Sequence, residues 1–399
     1  MRVTAGNYGT LLENRNREVR KAAFESVYKA YQSHINTYAE VLNSQIKQHV
    51  FFAKAKKFNS TLERALFSNQ IDPQVYTTLI KEAHKGFPVF YEYIEFRRKK
   101  LKLKKIQMWD LRVDLFPIDQ LEFTYDQAVD LCVDAAAPLG KDYQKTLKKG
   151  LTEGWVDKYE NKGKRSGAFS GGCYDSPPYI LMNFTGSLND VYTLMHEGGH
   201  SMHSYLAKTN QPYNKADYCI FSAEIASTVN ERLLTEHLLK KYSGNKQKQI
   251  LSYEIDAIRA TFFRQTMFAE FELLIHEQLE KGQPITPDFL NQEYQQINKK
   301  YYGSKLSEDQ YIKYEWARIP HFYYNYYVYQ YATGIAAAIY FAEQIKKGTG
   351  VDKYLNFLKS GGADFPLILL KKAGVDFIKP DIYKAVVKYL KTCLDKVKK

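Results

Sequence analysis

Two histidines four residues apart constrain this chain more than any other feature of its 399 residues. The stretch His196-Glu197-Gly198-Gly199-His200 reads H-E-x-x-H inside a segment of helical character. Residues four apart lie one above the other on a helix face, so both imidazoles can reach one metal ion. Glu197 follows the first histidine and points to the side of that face. There it can take a proton from an activated water instead of occupying the metal. Ser187-Leu188-Asn189-Asp190 supplies capping groups for the start of this helix, and Val191, Leu194 and Met195 give it an apolar stripe. Gly198 and Gly199 each cost helix stability, roughly 1 kcal/mol relative to Ala. A helix tolerates that where something approaches its backbone, here a substrate or a second ligand helix.

A catalytic zinc site needs three protein ligands and one open position. The pattern H-E-x-x-H-x-x-G-x-x-H fails, because His203 stands where Gly is required and Leu206 where the third His is required. His203, one turn past His200, reads as a packing or outer residue, since a fourth ligand would close the site. The segment Phe221-Ser222-Ala223-Glu224-Ile225-Ala226-Ser227-Thr228-Val229-Asn230-Glu231 offers a carboxylate on another helix. Glu224 and Glu231 are seven apart and share a face of an otherwise apolar helix, where unpaired acids are costly to bury. Glu224 reads as the third ligand. Glu231 reads either as the acceptor of a ligand imidazole N–H or as an ion pair with Arg232.

The runs H-E-G-G-H-S-M-H-S-Y and F-S-A-E-I-A-S-T-V-N-E together resemble the oligoendopeptidase F branch of the thimet oligopeptidase/neurolysin family of zinc peptidases. The resemblance runs from about Tyr8 to the C-terminus. It implies one Zn²⁺ per chain held by His196, His200 and Glu224, with Glu197 as general base. It also implies a mainly α, zincin-like fold with a small β-sheet beside the H-E-x-x-H helix. Members of the family carry a further helical region ahead of what corresponds to residue 1, forming one wall of the substrate channel. The chain is therefore expected to correspond to the C-terminal two-thirds. Residues 1–160 would be a helical region forming part of the channel wall, and 161–399 the catalytic region.

Ser166 to Gly186 is the one stretch that reads as β, with a Gly-rich turn, a Pro-Pro break and a short apolar run. An edge strand there could pair with an extended peptide through main-chain hydrogen bonds, or could simply support the site. Downstream, Ile319 to Gly334 is the densest aromatic run in the chain. Peptide hydrolysis builds negative charge on the carbonyl oxygen, which phenol or imidazole donors stabilise. The resemblance places such donors here. On a continuous helix His321, Tyr324 and Tyr331 would share one side, with Tyr329 at its flank. His321 and Tyr331 are the first choices, then Tyr324, with Tyr329 as the fallback; for any single tyrosine, core packing competes.

Beyond these segments the chain reads as helical. One long amphipathic stretch is expected from Arg17 to about Lys54. Further helices are expected after the cap Asp72, after the capping box Thr124-Tyr125-Asp126-Gln127, and at about Tyr218–Tyr242, Gln247–Gly282, Pro287–Tyr301, Asp309–Ala317, Tyr326–Gly348, Val351–Ser360 and Pro380–Lys396. Cys132, Cys173, Cys219 and Cys393 form no C-x-x-C pair and read as reduced thiols, hence a cytoplasmic protein. The first residues form no signal peptide, and no apolar stretch approaches a membrane span. The net charge of +13 gathers in Arg97-Arg98-Lys99-Lys100, Lys102-Leu103-Lys104-Lys105 and the C-terminal lysines. These read as solvated faces, with no nucleic-acid-reading motif beside them. The expected partners are thus short peptide substrates, not nucleic acid or membrane. An inactive zinc-containing fragment that binds peptides, and a basic nucleic-acid-binding helical protein, are the rival expectations.

Overall fold

The computed structural model describes residues 2–4, 6–116, 121–307 and 309–399. The fold is mainly α, as the residue periodicity requires, with one three-stranded sheet. The chain forms two compact units, each drawn from separated segments. The first comprises Met1–Pro117, Ile255–Ala332 and Leu390–Lys399, and the second Ile118–Glu254 and Thr333–Tyr389. Neither coincides with a division at 160/161. The chain returns to each unit after leaving it, which a linear reading of composition cannot register. Among the described residues no helix is long and apolar enough to cross a membrane.

In the first unit the expected stretch from Arg17 to Lys54 is two helices, Arg17–Gln32 and Ile35–Ala55. The break falls at Ser33, whose hydroxyl donates back to the Ala30 carbonyl, the local competition by which serine ends helices. A core of Leu12, Phe24, Tyr28, Trp109, Ile312 and Tyr314 holds the first of these helices. Asp72 caps Pro73–Lys85 by accepting the Gln74 N–H at 2.8 Å. The expected helix Gln247–Gly282 is Gly244–Ile258, a π turn at Arg259–Phe263, and Arg264–Glu280. Asp309–Ala317, expected as α, is a 3₁₀ segment over Ile312–Arg318, where Asp309 accepts the N–H groups of Tyr311 and Ile312. The first basic run is not wholly a solvated face. Arg97 is fully buried and donates to the Asp110 and Val113 carbonyls. In the tail, Lys391 and Lys398 both pair with Glu92.

The second unit contains the sheet. β1 (Val156–Asp157) pairs parallel with β3 (Tyr179–Leu181), and β3 pairs antiparallel with β2 (Phe169–Gly171), in the order β1-β3-β2. The two-residue β1 carries too little pattern to be read from sequence. β2 is an end strand, and its register sets Ser170 opposite Ile180. Ile180 gives its N–H to Trp155 on the β1 side. Ser170 and Ile180 are therefore the pair whose backbone groups face away from each other, and the Ser170 N–H and C=O point to the open edge. After the sheet, a capping box between Ser187 and Asp190 starts the helix Leu188–Asn210. Ile220–Lys241 packs beside it and is buried on nearly every face, so its apolar residues show little one-sidedness.

Candidate metal centre

Helix Leu188–Asn210 carries His196, Glu197 and His200, and helix Ile220–Lys241 carries Glu224 and Glu231; all lie in the second unit. The two helices touch backbone to backbone at Gly199. A Cβ there would stand 2.6 Å from Ser227 Cα and 2.8 Å from the Ala226 carbonyl oxygen. Gly199 is therefore required by the close approach of helix Ile220–Lys241. At Gly198 a Cβ would meet the flexible side chains of Leu147 at 3.2 Å and Leu151 at 4.0 Å. A third approach comes from Gly334, which leaves 3.3 Å between its would-be Cβ and Glu224 Cβ.

The close crossing brings three donor atoms into a triangle. His196 Nε2 and His200 Nε2 are 3.2 Å apart, and Glu224 Oε2 lies 3.6 Å from the first and 3.8 Å from the second. For zinc–ligand bonds of roughly 2.0–2.1 Å, tetrahedral donors stand about 3.3–3.4 Å apart. The triangle is thus the size of one face of such a site. Each imidazole has its second nitrogen committed. His196 Nδ1 donates to Glu231 Oε1 at 2.6 Å, and the His200 ring donates to the Ala223 backbone. Both Nε2 atoms therefore face the Glu224 carboxylate, an arrangement that a proton shared by the rings or a metal ion at the centre satisfies. Among the described residues no fourth His, Cys, Asp or Glu atom joins the three. These three side chains keep 18–26% of their surface exposed, so solvent reaches the centre. The donor set and its spacing fit Zn²⁺ with a vacant corner.

The surrounding charges agree. Burial alone would lower the His196 pKa, but the Glu231 hydrogen bond and the carboxylates of Glu231, Glu224 and Glu197 raise it to about 9. Burial, with the charge of His196, takes His200 down to about 3. The two facing rings therefore hold one positive charge between them, where a metal would stand. Burial would raise Glu231, yet His196 and Arg232 hold it below the usual carboxylate range. Glu231 does both things the sequence left open: Oε1 takes the imidazole N–H and Oε2 accepts Arg232 at 3.0 Å. Arg232 is itself buried and paired with Glu254. The buried partner of Arg232 was not legible in sequence, since Glu254 lies 22 positions on in a separate helix.

Glu197 is buried beside this triangle, 6% exposed. Desolvation raises its pKa, helped by Glu224 and Glu231 and opposed by His196 and by the Ser170 backbone N–H. That N–H is the outward-facing donor of β2, so the strand edge and the candidate base are joined. Ser170 Oγ also meets Ser201 Oγ at 2.8 Å. Nothing in the local sequence singled out Ser170; only the strand register does. His203 is fully buried, its ring stacked 3.6 Å from that of Tyr218, and neither nitrogen has a hydrogen-bond partner among the described residues. Packing is what it does.

His321, Tyr324, Tyr329 and Tyr331 belong to the first unit. They do not lie on one helix. His321 is in a 3₁₀ turn, Pro320–Tyr323, and the α-helix begins only at Tyr329. Between them Asn325 and Tyr326 take φ of 52° and 60°, the left-handed region, which costs about 1–2 kcal/mol per non-glycine residue. The turn still gathers three half-buried rings. His321 stacks on Tyr327 at 5.8 Å and meets Tyr331 edge-on at 6.2 Å, and the Tyr331 and Tyr327 hydroxyls are 3.3 Å apart. Tyr324 borders the group at 5.7 Å from His321 and is 58% exposed. Tyr327 went unnoticed because a helical wheel sets it away from His321. Tyr329, the fallback choice, is buried with its ring 5.1 Å from Tyr76, and so packs the core. Burial, and then the charge of Arg264, lowers the His321 pKa, leaving a neutral imidazole at pH 7.

Comparison with known proteins agrees with this architecture. The profile of Peptidase family M3 matches residues 10–388. Oligopeptidase PepF of Bacillus subtilis (strain 168) is 48% identical over 362 residues, covering 90% of this chain and 54% of that protein. The chromosomal oligoendopeptidase F of Lactococcus lactis subsp. cremoris is 45% identical over 364 residues, covering 90% of this chain and 60% of that protein. The crystal structure of oligoendopeptidase-F from Enterococcus faecium superposes with a TM-score of 0.81 at 35% identity, covering 100% of this chain and 66% of that one. The chain thus spans 54–60% of the length of these two curated relatives.

Proposed function

The chain belongs to peptidase family M3, and from that premise we propose that it carries the catalytic centre of a zinc-dependent endopeptidase cleaving internal bonds of short peptides. The observation that carries the reading is the triangle of His196 Nε2, His200 Nε2 and Glu224 Oε2 beside the buried carboxyl of Glu197. These three side chains would hold one Zn²⁺ per chain. Zinc bound there supplies a Lewis acid that polarises the scissile carbonyl and brings the pKa of water to near 7. Glu197 takes the proton of the attacking water and passes it to the leaving amine. Its raised pKa suits both halves of that transfer. Glu231 fixes the His196 tautomer, and the Ser170 N–H orients Glu197. An extended peptide aligned along the open edge of β2 would be read through its main chain, with little dependence on its sequence. His321, with Tyr331 or Tyr324 and now Tyr327, are the candidate donors to the developing oxyanion. Among the described residues none of the four cysteines is in a disulfide, which supports a reducing, cytoplasmic setting.

A quenched fluorogenic peptide assay tests the reading. Turnover should vanish with a chelator, return with zinc, and be abolished by Glu197→Gln, while that variant retains about one equivalent of zinc. Cleavage indifferent to chelator, or loss of metal from Glu197→Gln, overturns it. The chain's coverage of 54–60% of its relatives favours one second reading. A protein that binds zinc and peptide but turns nothing over would be an inactive peptide-binding portion.

A further inference from the structure

Of the left-handed residues Asn325 and Tyr326, the second is held by groups that converge from three helices. Tyr326 gives its backbone N–H to Glu272 Oε1 at 2.6 Å, and its hydroxyl meets Thr61 Oγ1 at 2.8 Å. Thr61 in turn donates to Glu280 Oε1 at 2.6 Å. Glu272 and Glu280 both stand on helix Arg264–Glu280. Between these grips the Tyr326 ring is clamped, 4.5 Å from His276 and 5.5 Å from Tyr76. Glu272 is fully buried, and its Oε2 has no hydrogen-bond partner among the described residues. A carboxyl group is a costly thing to enclose for one hydrogen bond. Leucine or methionine would fill the space without that penalty.

We propose that Glu272 is a positioning residue: by accepting the Tyr326 N–H it holds the left-handed turn that brings His321, Tyr327 and Tyr331 together. The juxtaposition depends on that turn. His321 precedes it on a 3₁₀ segment and Tyr331 follows it on an α-helix, so any relaxation of Asn325 or Tyr326 toward ordinary backbone angles swings one against the other. Strain of this kind persists only where the surroundings over-determine it, and here the hold on Tyr326 comes from its amide, its hydroxyl and the two rings packed against its own. Neither Thr61 nor the ring contacts touch the amide; the carboxyl of Glu272 alone among the described residues receives it. The inference rests on the reading of His321 and the tyrosines as oxyanion donors for its catalytic consequence, but not for the hold itself.

The test compares Glu272→Gln, which keeps a carbonyl acceptor, with Glu272→Met, which has none, and with Glu272→Met carrying Asn325→Gly, which removes the need to force a side-chain-bearing residue into the left-handed region. Amide hydrogen exchange at Tyr326 and kcat and KM on a fluorogenic peptide are measured on zinc-loaded protein. Expected are wild-type exchange and kcat within about threefold for Glu272→Gln. For Glu272→Met, exchange should be faster and kcat lower by about tenfold or more, with KM and zinc content little changed, as for loss of transition-state contacts alone. The glycine should restore at least about a third of the lost kcat. Unchanged Tyr326 exchange in Glu272→Met overturns the proposal, as does a fall in kcat that Glu272→Gln shares. Should Glu272→Met not fold, Glu272→Asp, whose carboxyl falls short of the amide, is read by the same two criteria. His321→Ala with undiminished kcat would remove the donor reading and leave the exchange result to decide the hold.

Discussion

The centre on the H-E-x-x-H helix and the aromatic group around His321 teach opposite lessons about how a chain places chemistry. The first is made by two regular helices in contact, so residue spacing alone sets which atoms meet. The second is made by a backbone that leaves regular structure for two residues and returns. In the first, the strain sits in packing, at Gly199, where any Cβ would collide with backbone. In the second it sits in dihedral angles, at Asn325 and Tyr326. The two should therefore respond oppositely to the gain and loss of a Cβ.

Gly199→Ala is the harshest test of that contrast. The added methyl meets the Ser227 and Ala226 backbone, neither of which can rotate away, so we expect the upper end of overpacking costs, about 3 kcal/mol or more, with loss of zinc. Gly198→Ala, facing only the side chains of Leu147 and Leu151, should be within about 1 kcal/mol of wild type. Thermal unfolding and metal content of the pair decide it; equal behaviour of the two would break the account of the crossing. Next in size, His321→Phe and Tyr331→Phe should each lower kcat by about 10²–10³ without touching zinc content, as removal of an oxyanion donor does. A similar loss in Tyr327→Phe would identify the third ring as a participant. Glu231→Gln should weaken zinc binding by about 10–100-fold, read by chelator competition; unchanged affinity would reduce Glu231 to an ion-pair partner of Arg232.

Two buried acids in the first unit titrate in opposite senses and sharpen the comparison further. Burial would raise Glu315, but Arg264 and Arg318 hold it down to about 2. Its folded pKa lies below the unfolded value, so it stabilises above about pH 4.5, and that contribution is lost as pH falls toward 2. Burial raises Glu272 to about 8. The folded state then keeps a proton that the unfolded state releases above about pH 4.5, so stability declines as pH rises from there to 8. Glu315→Gln should flatten the acid limb of a stability–pH profile and Glu272→Gln the limb between pH 5 and 8; the reverse assignment would contradict both environments. The smallest effect is expected at His203, which has no hydrogen bond to lose among the described residues. His203→Phe should be neutral or stabilise by up to about 1 kcal/mol in thermal unfolding.

The same contrast explains what could be read beforehand. The capping residues Asp72, Thr124 and Ser187, the helix Val351–Ser360 and the pairing of His196 with Glu231 all follow from local chemistry acting on regular backbone. The glycine at 199 was legible as a close approach, though not which element approached. The single helix imagined for residues 17–54 failed at Ser33, whose side chain competes with the ladder. A helical wheel sets His321 and Tyr331 on one side, whereas their rings are brought near each other through two left-handed residues that replace the helical turns it assumes. Ser170 and the Glu254 partner of Arg232 could not be anticipated, since a strand register and a separate helix determine them.

The most direct measurement is an anomalous difference map at the zinc absorption edge from crystals of the metal-loaded chain. We expect one peak per chain bonded to His196 Nε2, His200 Nε2 and Glu224 Oε2, with solvent completing the shell and Glu197 outside it. A map without that peak, or with Glu224 turned away or Glu197 ligating in its place, would contradict the central claim.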